Sequence, residues 1–110
     1  MNVPILDLRL QYQTIRQEVL SAIEAVCDEQ AFVLGPRVAA FEREVAQYLA
    51  MSHAVGVASG SDALLLGLMA ANVGPGDEVI TVPLTFFDTA WAISRLGAVP
   101  VIVDISPDTF

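Results

Sequence analysis

The stretch that leaves this chain fewest options runs from Val55 to Leu68, VGVASGSDALLLGL. Its first part, within Ala54–Ala58, alternates small and β-branched residues, the pattern of a short strand. Ser59-Gly60-Ser61-Asp62 breaks that pattern, and an apolar helical run from Ala63 to Ala71 follows at once. A strand, a tight small-residue turn and a helix in succession leave the first N–H groups of the helix without intrahelical partners and facing open space. The helix dipole stands behind them, so the turn is a candidate anion site, most often used for phosphate. Gly60 allows a ligand to approach the backbone closely, and Ser61 is expected to cap the helix and to offer a hydroxyl. Asp62 suits the dipole but repels phosphate, so it is expected to point aside or to meet a cationic part of a ligand. The same residues also spell an ordinary capped helix after a strand, and spacing alone does not separate the two.

Charge narrows the partners. Thirteen acidic residues face five cations, for a net charge of −8. All five cations are arginines (Arg9, Arg16, Arg37, Arg43 and Arg95), and there is no lysine. Nothing here could neutralise a row of phosphates, so neither a nucleic acid nor an acidic membrane is an expected partner. A hydrophobic fraction of 55% exceeds the roughly 45–50% usual for soluble domains. An acidic, apolar-rich chain of 110 residues reads as an α/β enzyme domain or part of one. The single Cys27 admits no internal disulfide and fits a reducing, cytoplasmic setting. It lies near the end of an apolar helical stripe, where a buried or half-buried thiol is expected. His53 has no second ligand at useful spacing, so no metal site is expected. No charged leader precedes an apolar run, which speaks against secretion. Ala63–Ala71, the longest apolar run, is too short to span a bilayer.

Before that central stretch the chain reads as two helices. Pro4 keeps the opening residues extended. Tyr12, Ile15, Val19, Ile23 and Val26 then recur at three- and four-residue steps, predicting a helix from about Leu10 that ends at Asp28-Glu29-Gln30. Gly35-Pro36 starts a second helix, with Pro36 at its first position. There Val38, Phe41, Val45 and Leu49 are expected to face inward, and Arg37, Glu42, Arg43 and Gln47 outward. Phe32 and Leu34 in the link between them would be costly on a monomer surface, which hints at burial against another segment or subunit.

Beyond it, three similar units follow. The predicted strands are Ala54–Ala58, Glu78–Val82 and Val99–Val103; the helices between them run from the Ser59–Asp62 turn to about Ala71 and from about Phe86 to Leu96. Gly97 is placed to close the last helix in a left-handed conformation. Short links between alternating strands and helices predict right-handed crossovers and a parallel sheet. The expected fold class is therefore α/β, with residues 1–52 a helical segment and 53–110 the first part of a larger α/β domain. Three strands with two open edges, and a chain running out at Asp104–Phe110, read as an unfinished sheet.

Several motifs, taken in order, carry a family resemblance. They are Phe32-Val33-Leu34-Gly35-Pro36, Phe41-Glu42-Arg43-Glu44, the VGVASGSDAL run at 55–64, Gly74-Pro75-Gly76-Asp77-Glu78-Val79-Ile80, Pro83-Leu84-Thr85-Phe86 and Gly97-Ala98-Val99-Pro100-Val101. Together they resemble the N-terminal portion of the DegT/DnrJ/StrS family of sugar aminotransferases. The resemblance implies a fold-type I scaffold that binds pyridoxal 5′-phosphate (PLP) and, in the complete protein, moves an amino group from a donor such as glutamate to a nucleotide-linked keto sugar. It implies that Gly60, Ser61 and Asp62 cradle the cofactor phosphate and that Phe86 stacks on the pyridine ring. It also implies a homodimer with the N-terminal helices at its interface.

Asp88 stands where relatives often carry alanine, and is read as a solvated first-turn carboxylate; Trp91 is read as packing. The Schiff-base lysine and the acid that pairs with the pyridinium nitrogen lie downstream in the family, and Asp104 does not match that acid. No catalytic residue is therefore assigned, and without lysine this chain alone could not hold the PLP aldehyde. The alternatives are a non-catalytic remnant or interaction module of the same fold, a PLP-dependent sugar dehydratase relative, and a small nucleotide-binding module. The last lacks the spaced glycines of a dinucleotide fingerprint.

Overall fold

The structure, a computed structural model, describes residues 4–109 and divides into two compact units, Met1–Gly56 and Val57–Phe110.

The first unit contains α1 (Arg9–Glu29) and α2 (Pro36–Tyr48). Asp7 anchors the start of α1. Its Oδ1 accepts the Arg9 backbone N–H at 3.0 Å and Nε at 2.9 Å, while Oδ2 accepts Nη2 at 2.7 Å. This two-pronged pairing satisfies an otherwise orphaned donor of the first turn. Along α1 the expected apolar stripe is present but uncovered: Tyr12, Ile15 and Ile23 are exposed, Val19 and Val26 half-buried. Cys27 is exposed, contrary to the expectation of a buried or half-buried thiol, on a helix that has no fully buried residue. His53 is exposed as well.

Gly35, extended at φ −76°, precedes Pro36 at the head of α2. A Cβ on Gly35 would lie 2.6 Å from the Ala31 carbonyl oxygen, so the sharp entry into the helix requires glycine. On α2 only Ala46 is buried; Val38 and Val45 are half-buried, and Phe41 and Leu49 remain exposed. Glu42 corrects the expectation of an outward carboxylate. It is half-buried, and its Oε1 accepts the Gly56 N–H at 2.7 Å.

The second unit runs α3 (Gly60–Ala70), β1 (Glu78–Thr81), α4 (Asp88–Arg95) and β2 (Val99–Ile102). β1 and β2 pair in parallel with Glu78 opposite Val99 and Thr81 opposite Ile102. α4 makes the crossover and packs on both strands and on α3, burying Ala92 and Ile93, with Ala98 buried beside them. This is the α/β arrangement expected. Among the described residues the sheet has two strands, however, not three. Ala54–Ala58 is not a strand. Gly56 gives its N–H to a side chain, Val55 and Val57 stay exposed, and no neighbouring strand takes up the backbone.

Three helices end alike. Gln30, Ala50 and Asn72, at φ 53°, 52° and 59°, take the left-handed conformation after α1, α2 and α3. In each case the next residue's N–H reaches back to the helix: Ala31 to Val26, Met51 to Ala46, Val73 to Leu68. After α4 that position is Gly97, at φ 74° as expected.

Candidate functional site

Ser59, extended at φ −157°, caps α3: its Oγ accepts the Asp62 N–H at 3.1 Å. The same hydroxyl donates to Asp62 Oδ2 at 2.9 Å, which turns the Asp62 carboxylate back onto the cap. The cap is thus Ser59 and not Ser61, because Ser61 already lies inside the first turn. Asp62 points aside, one of the two arrangements expected for it.

Ser59 satisfies the N–H of Asp62 through its side chain and that of Ala63 through its carbonyl. The N–H groups of Gly60 and Ser61 have no partner among the described residues. Two free donors at the positive end of an 11-residue helix are the elements of an anion site. A Cβ on Gly60 would meet nothing within 4 Å, so the space in front of this turn is open.

That space is a hollow of about 380 Å³ lined by Gly60, Ser61, Leu64, Phe86, Asp88 and Thr89. Phe86 precedes α4, which begins two residues later than the sequence pattern suggests, at Asp88. Phe86 is 74% exposed, and its ring meets that of Phe87 edge-on, with centroids 6.2 Å apart. Gly60, Ser61 and Phe86 are thus brought to one hollow, while Asp62 is not among the residues lining it and is engaged by Ser59. Thr85 and Thr89 pair through their hydroxyls at 2.9 Å, which ties the segment carrying Phe86 to the first turn of α4.

Asp88 is the site residue that sequence reasoning misplaced. It is half-buried, not solvated, and accepts the hydroxyl proton of Ser61. The two residues lie 27 positions apart on different helices, and no local pattern encodes their meeting. Trp91, farther along α4, packs against Phe87 and carries the Arg95 guanidinium 4.7 Å from its ring centre.

The model of the DegT/DnrJ/EryC1/StrS aminotransferase family matches residues 13–110. The chain belongs to that family. Among its relatives, a pleiotropic regulatory protein from Geobacillus stearothermophilus is 48% identical over 110 residues, 100% of this chain and 30% of the relative. The dTDP-3-amino-3,4,6-trideoxy-alpha-D-glucose transaminase of Streptomyces venezuelae is 45% identical over 97% of this chain and 28% of its own length. Among solved structures, NtdA from Bacillus subtilis with bound cofactor PMP superposes with a TM-score of 0.86 at 32% identity, covering 98% of this chain and 25% of that one. The chain therefore spans less than a third of the length of these relatives. Its α/β fold is that of fold-type I aminotransferases, of which it represents the N-terminal portion. Among the described residues, no helix is long and apolar enough to cross a membrane.

Proposed function

We propose that this segment supplies part of the PLP site of an aminotransferase acting on nucleotide-linked keto sugars, with an amino acid such as glutamate as donor. One observation carries the reading: the free N–H groups of Gly60 and Ser61 open onto the same hollow as the exposed ring of Phe86. A phosphate needs donors and a pyridine ring needs a flat apolar face, and both are at hand there. In this reading Gly60 and Ser61 hold the phosphate, Asp62 stiffens the turn through Ser59, and Phe86 fixes the plane of the ring. PLP, when bound, supplies the electron sink for amino transfer, while the protein's part is to bind and orient it. Residues 1–52 serve as the N-terminal helical segment and 53–110 as the start of the cofactor-binding domain.

A homodimer in the cytoplasm completes the proposal. Ile23, Val26, Cys27 and Phe32 line an apolar hollow of about 400 Å³ in the first unit, a surface suited to burial against a second copy. An interaction module without catalysis is the second reading, to which the exposed apolar side chains of Phe32, Val33 and Leu34 point.

The test is a graft: residues 1–110 replace the corresponding segment of the Streptomyces venezuelae transaminase. The hybrid is expected to bind PLP and to aminate a dTDP-linked keto sugar, and to lose about two- to tenfold in PLP affinity on Phe86→Ala. A folded hybrid that binds no PLP would refute the cofactor reading. One that binds PLP without turnover would favour the non-catalytic reading.

A further inference from the structure

Thr89 lines two hollows at once. One is the hollow that holds Phe86; the other, of about 110 Å³, lies between α3, β1 and α4 and is shared with Leu64, Leu68, Val79 and Ile93. Thr89 is half-buried there, and its hydroxyl meets that of Thr85, an exposed residue, at 2.9 Å. The pair brackets Phe86. On one side the Thr85 N–H donates to the Pro83 carbonyl at 3.0 Å, and on the other the Thr89 N–H donates to the Phe86 carbonyl at 3.1 Å. Of the two threonines, Thr89 is the one set into a wall of the fold. The bond therefore restrains Thr85 and, through it, the backbone that aims the Phe86 side chain.

Phe86 itself is 74% exposed, and the aromatic contact at hand is the edge of Phe87. A flat ligand gains most from an aromatic face that is already in place, because a ring ordered only on binding gives back part of the contact as lost freedom. We propose that Thr89 is a positioning residue for Phe86: by holding Thr85 it presets the ring that the pyridine of the cofactor meets. The inference rests on the cofactor reading above and adds to it a residue that acts through another.

Exposure separates this role from plain support of α4. Thr85 is open to solvent, so its hydroxyl turns to water once its partner is removed, at little cost to the fold. Thr89→Val keeps the branched shape that fills the inner wall and removes only the bond. Thr89→Ser does the reverse: the hydroxyl stays and the methyl goes.

Titration of the full chain with pyridoxamine 5′-phosphate, the amino form of the cofactor, tests this without need of a lysine. Quenching of Trp91, the sole tryptophan, reads affinity, and circular dichroism induced in the ligand's absorption band reads its orientation. Thr89→Val is expected to weaken binding about two- to fivefold and to lower the induced signal per bound ligand. Thr89→Ser should match the wild type. In a Phe86→Ala background Thr89→Val should cost nothing further, because it acts through the ring. Thr85→Val breaks the same pair from its exposed side and serves where Thr89→Val fails to fold. Unchanged binding in Thr89→Val, a loss that Thr89→Ser shares, or losses that add in the double variant would each overturn the inference while leaving the cofactor reading in place. Absence of binding in the wild type, or a Phe86→Ala variant that binds as tightly, would overturn both.

Discussion

Ser59 and Asp62 hold each other reciprocally: one hydroxyl accepts the Asp62 N–H at 3.1 Å and donates to its carboxylate at 2.9 Å. The arrangement fixes the first turn of α3 and leaves the two preceding N–H groups free. Ser59→Ala is expected to cost about 1 kcal/mol, the usual loss for a removed N-cap, read as a lower denaturant midpoint. Ser59→Asp, which keeps an acceptor but faces Asp62, should recover only part of it.

Glu42 does for the backbone at Gly56 what a strand partner would otherwise do. Glu42→Ala leaves that N–H to water, and a loss of about 1 kcal/mol is expected, at the low end for a charge-assisted bond because the contact is exposed. Glu42→Gln keeps an acceptor oxygen and should lose less. Amide exchange at Gly56 should quicken in the alanine variant first.

Gly97 sits at φ 74°, and a Cβ there would approach Pro75 Cγ to 3.1 Å. Gly97→Ala combines left-handed strain with crowding, so a loss of about 1–3 kcal/mol is expected. A thermal melt measures it, and a neutral outcome would mean that the Gly74–Asp77 turn shifts to make room.

The Arg9 guanidinium beside Asp7 holds that carboxyl below its ordinary value of 3.8, chiefly through the side-chain bond. A carboxyl depressed in the folded state stabilises it fully above that ordinary value, and the effect fades as pH falls through the lowered one. Arg9 is shifted upward, so its contribution is constant across this range. The start of α1 should therefore fray on acidification below about pH 4, with no change between pH 5 and 8. Asp7→Asn should abolish the transition, as followed by the chemical shift of the Arg9 amide.

Local features proved readable where one residue's chemistry determined the backbone. Gly35-Pro36 marked the start of α2, Gly97 closed α4, and the small-residue turn at Ser59–Asp62 opened α3. Non-local pairs were not readable. Glu42 reaches Gly56 across 14 positions and Ser61 reaches Asp88 across 27, and in both cases a polar side chain expected in solvent is partly buried by its partner. The strand expected at Ala54–Ala58 fell to the same cause. Alternating Val55 and Val57 describe a strand's side-chain pattern, but a strand exists only where a neighbour accepts its backbone.

The helix ends carry one further consequence. Ala50 occupies, as a residue with a side chain, a conformation that glycine adopts at no steric cost. About 1 kcal/mol of achievable stability is thus left unused at that one position, and Ala50→Gly is expected to recover part of it. Gln30 offers less, since its amide also binds the Cys27 carbonyl at 2.6 Å, and Asn72 is the side-chain type best tolerated there. The segment thus has thermal headroom at a residue that is not among those lining the hollow, and an engineer could raise its tolerance to mutation before altering a single residue of the pocket.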